Sequence, residues 1–290
     1  MLRVGIIGAE NSHALAISTI LNVKKKMPGA RAVAIWGETR KLAKERARDG
    51  QIPRIVKNPA EMLGDVDVVM IDHRHGKYHL PAARPFLEAR VPLFIDKPFA
   101  CNAGEARRFL AEARRRRVPV TSFSVVRLYQ GTQALAKEIR KQGRLVALSL
   151  TGPCDIRSKY GGVFFYGIHQ VEVALELMGT DVREVKATRH HGNAIATLAF
   201  GSGALASLQF LKDAAYKFQA TAACEKAVFS APIEADNDPY LLGTRTWLTM
   251  ARTGKMPYTF EELLAPVAVM AAIERSIRTG RAVRVGKIEI

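Results

Sequence analysis

The chain has 290 residues, of which 48% are hydrophobic and 24% charged, so it is long enough for two domains and is not intrinsically disordered. Its cysteines, Cys101, Cys154 and Cys224, form no CxxC pair, which excludes a disulfide framework and a thiolate zinc site. With 44 Lys and Arg against 27 Asp and Glu, the formal net charge of +17 favours anionic partners such as nucleotides or acidic substrates.

Two observations on apolar segments argue against a membrane signal. The longest apolar run, residues 263–273, is too short to span a bilayer. Glu10, Asn11 and His13 interrupt the apolar region that a signal peptide would need. We therefore expect a cytoplasmic protein that does not bind membranes.

Short apolar runs alternate with segments of helical spacing over the first 122 residues. The predicted strands are 2–7, 31–36, 66–71, 93–95 and 119–125, and the predicted helices are 12–23, 39–49, 80–89 and 102–117. Strand–helix–strand repetition with short connections predicts an α/β fold, a doubly wound parallel sheet with helices on both faces. We place this domain at residues 1–122.

Strands follow one another directly in the second half. Helices are predicted at 132–142, 166–178 and 261–279, with Gly280 as the final stop, and strands at 145–151, 182–188, 194–200, 204–210 and 223–230. Gly201-Ser202-Gly203 predicts a hairpin between two of these strands. Residues 123–290 are therefore predicted to form an α+β domain with an open, mainly antiparallel sheet.

The first strand runs into Gly8 and is followed by a helix, which is where a dinucleotide-binding domain places the pyrophosphate. The usual GxGxxG fingerprint keeps only its first glycine, because Glu10 and His13 stand at the other two positions. Ser12 and His13 offer donors that offset part of this change. A Rossmann-like domain whose nucleotide site has been lost is the alternative.

The end of the second predicted strand normally supplies the group that contacts the adenosine ribose. Glu38 suits a ribose hydroxyl, whereas Arg40 suits a 2′-phosphate. NAD and NADP both remain open as the cofactor.

Residues 94–100, FIDKPFA, together with the preceding strand and His79, resemble the E-K-P-[LF]-A segment of the Gfo/Idh/MocA oxidoreductase family. Gly161-Gly162, followed by Gly167, His169 and Glu172, is similar to the glycine pair and G-x-H-x-x-D pattern of that family.

The resemblance implies a Rossmann domain followed by a substrate and oligomerisation domain, as a homodimer or homotetramer. It also implies an oxidoreductase that uses NAD or NADP and acts on sugars, inositols or related polyols. The chain departs from the family at Phe165, where an aspartate is common, and at residues 72–75, DHRH, where the family has T-P. The candidate cofactor-binding residues are Gly8, Glu10, Asn11, Ser12, His13, Glu38, Arg40, His73, His79, Lys97 and Pro98.

Four residues are the catalytic candidates. Tyr166, His169 and Glu172 lie three apart, so a helix places them along one face. We expect Glu172 to accept a proton from one His169 nitrogen, leaving the other to act on a substrate hydroxyl. Lys97 is expected to place a positive charge beside the developing alkoxide, although His169 and Lys97 could exchange these roles. Tyr166 could add a hydrogen bond.

Two rival functions remain. A family member without redox turnover could bind a ligand or partner, which Glu10 and Phe165 favour. Alternatively, His73, His75 and His79 could bind a metal for a hydrolase or lyase, although no further ligand is assigned and our prediction is that there is no metal. Residues 114–117, four arginines at a helix end, lack interleaved aromatic residues, so we expect no specific nucleic-acid binding.

Overall fold

The computed structural model describes all residues 1–290, and its first half is built around a six-stranded parallel sheet. The strands are β1 (Leu2–Ile7), β2 (Ala30–Trp36), β3 (Arg54–Ile55), β4 (Val68–Ile71), β5 (Leu93–Ile95) and β6 (Val120–Thr121), in the order β3-β2-β1-β4-β5-β6. The connecting helices are α1 (Ser12–Ser18), α2 (Arg40–Asp49), α3 (His79–Glu88) and α4 (Ala103–Arg116). The predicted doubly wound sheet is confirmed, and its order reverses between β1 and β4, which opens a crevice at their carboxyl ends.

Side-chain hydrogen bonds cap the N-termini of two of these helices. Thr39 caps α2 by accepting from the Leu42 N–H, and Asn102 caps α4 by accepting from the Glu105 N–H. Strand β3 was not predicted. The last predicted strand, 119–125, is too long, because its only neighbour, β5, pairs with just two of its residues.

The second half contains a seven-stranded sheet. Its strands are β7 (Leu145–Pro153), β8 (Val182–His190), β9 (Asn193–Phe200), β10 (Leu205–Leu211), β11 (Gln219–Cys224), β12 (Val228–Pro232) and β13 (Val283–Arg284), in the order β12-β11-β7-β10-β9-β8-β13. Only β7 and β10 run parallel, so the mainly antiparallel sheet is confirmed. The single strand predicted at 223–230 is wrong, because the chain turns there and β11 pairs with β12 as a hairpin.

The second half of the chain contains four helices: α5 (Gln130–Lys141), α6 (Val163–Met178), α7 (Leu241–Thr253) and α8 (Phe260–Thr279). Helices α6 and α8 cover one face of the sheet. The other face is open and carries Ile195 and Leu205, which are 50% and 49% exposed. Its use as an oligomer interface stays a prediction.

Helix α7 was not predicted. It lies beyond residue 122 but packs in the hydrophobic core of the first sheet. Trp247 is completely buried and stacks on Phe94 of β5, with ring centroids 5.4 Å apart. Leu248 is buried in the same apolar cluster as Val4 and Ile6 of β1. The division of the chain at residue 122 therefore stays a prediction. None of the helices has the length and apolar character needed to cross a membrane.

Candidate active site

A cavity of about 550 Å³ lies between the crevice of the first sheet and the second half of the chain. It brings together seven of the residues that the sequence singles out: Glu10, Asn11, Ser12, His13, Lys97, Tyr166 and His169. Glu38 and His73 line a neighbouring cavity of about 250 Å³, which Glu10 shares. Arg40 lines a different cavity, and Gly8, His79, Pro98 and Glu172 lie behind these surfaces.

The turn after β1 begins at Gly8, whose φ of +120° brings it close to the next strand. A Cβ at this position would lie 2.5 Å from the Asp72 backbone, so the turn requires glycine. The N–H groups of Ala9 and Glu10 donate to Glu38 Oε2 at 2.8 and 2.9 Å. The other oxygen, Glu38 Oε1, is buried and has no hydrogen-bond partner.

The Glu10 side chain, which replaces a fingerprint glycine, reaches across the cleft. Its Oε1 accepts a hydrogen bond from the Tyr160 hydroxyl at 2.7 Å. The Tyr160 ring in turn packs under the Arg74 guanidinium, 4.2 Å from the ring centroid. The carboxylate is thus bonded to the second half of the chain.

A buried polar network fills the base of the crevice. The Asn11 amide donates to Asp72 Oδ1 at 2.9 Å and to Asp96 Oδ2 at 3.0 Å, and His13 Nδ1 lies 2.9 Å from Asp96 Oδ1. Burial, and then the charge of Asp96, raise the pKa of Asp72 well above its usual value. Burial also opposes ionisation of Asp96, but His13 outweighs it and lowers the pKa of Asp96 to about 2. Asp72 is therefore protonated more readily than Asp96, which stays charged.

The three histidines after β4 are not arranged to bind a metal. His79 Nδ1 lies 2.8 Å from the Pro98 carbonyl oxygen, and His79 Nε2 lies 2.7 Å from that of His73. Both ring nitrogens are thus occupied by the backbone, and the metal hypothesis for His73, His75 and His79 is wrong. Potential ligand atoms of His13, Asp72 and Asp96 do lie within 4.8 Å of one another, but their hydrogen bonds are made within the network already described.

Lys97 follows β5 and is buried at the cavity wall. Its ammonium lies 5.4 Å from the Phe165 ring centroid and 5.6 Å from that of Tyr166. Phe165 stands where the family that the sequence resembles commonly has an aspartate, and the carboxylates near Lys97, Asp72 and Asp96, pair with His13 instead. A positive charge thus faces the cavity beside aromatic rings.

His169 lies opposite, on α6, and presents its ring to the same cavity. Its Nδ1 lies 2.6 Å from Ser124 Oγ. Edge-on contacts with Tyr166 and Phe218 bracket the ring, with centroids 5.2 and 5.7 Å away. Burial, followed by the charge of Lys97, lowers the pKa of His169 well below its usual value, so the ring is neutral near neutral pH.

The expected pairing of Glu172 with His169 is wrong. Glu172 Oε2 instead accepts from the Ser124 N–H at 2.8 Å and lies 3.6 Å from Arg127 Nη1. Arg127 also binds Glu176, at 2.6 Å. The reason is that the loop after β6 packs on this face of α6 and offers its own donors to both side chains. Burial raises the pKa of Glu172 to about 7 although Arg127 opposes the shift.

Ser124 is the functional candidate that sequence reasoning missed. It lies where the strand predicted at 119–125 would have continued, whereas β6 ends at Thr121. A shorter strand would have put Ser124 just beyond a carboxyl end, the same signal that singled out Lys97.

Aromatic side chains form much of the remaining wall. The Tyr166 and Tyr216 hydroxyls lie 3.2 Å apart, and Tyr129, Phe218 and Tyr240 also line the cavity. Such a wall can pack against the apolar face of a ring while the hydroxyls contact its polar edge.

Residues 2–124 match the family model GFO_IDH_MocA, described as the oxidoreductase family with an NAD-binding Rossmann fold. Among curated proteins, no sequence matches this chain.

Solved structures resemble the chain over almost its whole length. They include the myo-inositol dehydrogenase from Lactobacillus casei in complex with NAD(H) and myo-inositol, at a TM-score of 0.84 and 16% identity over 99% of this chain and 97% of that one. The myo-inositol dehydrogenase from Corynebacterium glutamicum has a TM-score of 0.82 and 18% identity over 99% of both chains. GenD2 from gentamicin A biosynthesis, in complex with NAD, has a TM-score of 0.84 and 17% identity over 99% of this chain and 97% of that one. At these identities the likeness shows a shared fold.

Proposed function

We propose that this protein, whose residues 2–124 match the NAD-binding Gfo/Idh/MocA oxidoreductase family model, is a dehydrogenase that acts on a CH–OH group of a small hydroxylated molecule. One observation carries the proposal. Lys97, from the end of β5, and His169, from α6, line the same cavity beside the dinucleotide crevice. A proton donor or acceptor and a second polar group on either side of one oxygen are what this reaction needs.

The residues of the crevice fit a dinucleotide. Glu38 Oε1 is a buried acceptor without a donor, and it lies beside the glycine turn, where a ribose hydroxyl would supply one. Two loop N–H groups fix the other oxygen of this carboxylate, which keeps Oε1 in place. A 2′-phosphate would meet this negative charge, whereas Arg40 lines a separate cavity with Trp36. We therefore infer that the cofactor is NAD rather than NADP.

The bound nicotinamide would give or take the hydride, and the chain's own residues would manage the oxygen. Lys97 places its charge beside that oxygen and stabilises negative charge as it develops. His169 orients the oxygen through its free ring nitrogen. The aromatic wall of Tyr166 and Tyr216 excludes water and receives the apolar face of the substrate. Sugars and cyclic polyols have such a face.

Calorimetric titration of the purified protein with NAD, NADH, NADP and NADPH tests the cofactor assignment. We expect micromolar binding of the NAD pair and weaker binding of the NADP pair. A screen of sugars, inositols and other alcohols, followed by reduced-nicotinamide absorbance, then identifies the substrate. If none of the four nucleotides binds, the dehydrogenase proposal fails, and a family member that binds a ligand without redox turnover takes its place.

A further inference from the structure

We propose that Ser124 is a positioning residue that selects the tautomer of His169, so that the ring presents Nε2–H to the cavity as a hydrogen-bond donor. The catalytic consequence of this rests on the proposed function. The tautomer itself is a property of the folded chain and can be measured without turnover.

The hydrogen bonds of the Ser124 hydroxyl support this inference. Its Oγ accepts from the Val126 N–H at 3.1 Å and lies 2.6 Å from His169 Nδ1, and it makes no other hydrogen bond. Ser124 is completely buried, so water does not offer its hydroxyl a further acceptor. Donation of the single hydroxyl proton to Nδ1 satisfies every group at once.

The opposite tautomer is less favourable. If His169 Nδ1 carried the proton, it would donate to Ser124 Oγ, and the serine hydroxyl would be left without an acceptor. Leaving a buried donor unsatisfied is unfavourable, which favours the Nε2–H tautomer by about tenfold, equivalent to about 1.4 kcal/mol. The very short distance to Nδ1 agrees with an O–H donor to a basic nitrogen.

The position of Ser124 is itself fixed from behind. Its N–H donates to Glu172, which faces Arg127, and Arg127 is bonded to Glu176. This buried cluster anchors the backbone on which the hydroxyl stands. A charge relay from Glu172 to the ring is absent, because Glu172 reaches the serine backbone and not the imidazole.

The tautomer of His169 determines which roles His169 and Lys97 have in the reaction. A neutral ring with a proton on Nε2 has no lone pair there, so His169 donates a hydrogen bond to the substrate oxygen and takes no proton from it. The proton then belongs to Lys97. In reduction, the Lys97 ammonium gives its proton to the oxygen as hydride arrives at carbon; in oxidation, the neutral amine takes the hydroxyl proton as hydride leaves.

Nitrogen NMR of the full-length protein, labelled with ¹⁵N-histidine and without cofactor, reads the tautomer directly. The His169 signals are identified by their loss in His169→Gln. We expect a protonated Nε2 and an unprotonated Nδ1 in the wild type and in Ser124→Thr, which keeps the hydroxyl. In Ser124→Ala, we expect the preference to fall by about tenfold, toward an even mixture.

Ser122→Ala is the matched control, because Ser122 is also buried on this segment but its hydroxyl has no partner. It should leave the His169 signals unchanged. A wild-type His169 protonated on Nδ1, or a tautomer unchanged in folded Ser124→Ala, would overturn the inference. Thermal unfolding checks that each variant is folded. Cofactor titration fails or succeeds independently of these spectra, so failure of the proposed function is distinguishable from failure of this inference.

Discussion

The two walls of the cavity differ in where their charged side chains lie. On the Rossmann wall, the ionised Asp96 and the Lys97 ammonium stand directly at strand ends, where His13 and Asn11 bond the carboxylate. On the opposite wall, the charges of the Arg127 cluster lie one layer back, and the ring that His169 presents to the cavity is neutral. Side-chain donors close to a strand end stabilise the buried carboxylate of Asp96, whereas burial against the face of a packed helix keeps the His169 ring neutral. A single site can therefore combine one charged and one neutral catalytic group.

The largest expected effect comes from removing the charge on the Rossmann wall. Lys97→Ala should lower kcat by about 10²–10⁴-fold, because the oxygen loses both its proton donor and its positive neighbour. Steady-state kinetics with the identified substrate measure this. Lys137→Ala, an exposed lysine of α5, is the control and should leave kcat unchanged. Full activity in Lys97→Ala would refute the assigned role.

Removing the charge of Arg127, which lies one layer behind the second wall of the cavity, should lower the stability of the fold. Arg127→Met leaves Glu172 buried without its cationic partner, and we expect a loss of about 3–5 kcal/mol in the free energy of unfolding. Denaturant titration measures this loss. Arg183→Met breaks an exposed ion pair with Asp181 and should cost at most about 1 kcal/mol. Equal losses in the two variants would contradict the buried role.

The raised pKa of Glu172 predicts that the stability of the protein depends on pH. Burial raises that pKa from 4.5 to about 7, so between these values the folded chain keeps a proton that the unfolded chain releases. Stability contributed by Glu172 is therefore fully present below pH 4.5 and is lost as pH rises to 7, by roughly 1.4 kcal/mol per pKa unit at most. Glu172→Gln should remove this slope from unfolding free energies measured across that range. An unchanged slope would place the carboxyl outside the buried cluster.

The smallest expected effect concerns the cofactor. Glu38→Gln keeps the shape of the side chain but removes its charge, and we expect NAD affinity to fall by about tenfold and NADP affinity to rise or stay level. Calorimetry with both cofactors measures the ratio. Glu88→Gln, at the exposed end of α3, is the control and should change neither affinity. A stronger preference for NAD in Glu38→Gln would exclude a ribose contact at this carboxylate.

The sequence was sufficient to predict groups whose position follows from topology. Lys97 and the turn at Gly8 follow buried parallel strands, and such strands all end at one edge of the sheet. His169 was found because its surroundings resemble a family motif. Lys97 and His169 both line the cavity.

Partners distant along the chain were not predictable from the same patterns. Ser124 lies 45 residues before His169, and spacing along α6 favoured the wrong partner, Glu172. Helical periodicity says which side chains share a face but not what packs against that face. The metal hypothesis failed because the spacing of the histidines did not show that the backbone carbonyls of Pro98, 19 residues away, and of His73, in its irregular loop, occupy the His79 ring.

The position of Trp247 has a consequence for how this protein emerges from the ribosome. All six strands of the first sheet have been synthesised once Thr121 has been added, but the indole that stacks on Phe94 follows more than a hundred residues later. Until then the nascent Rossmann half exposes an apolar hollow where α7 will pack. The core of the first sheet is thus completed only when most of the chain has been translated, and a chain cut at residue 122 would leave that hollow open.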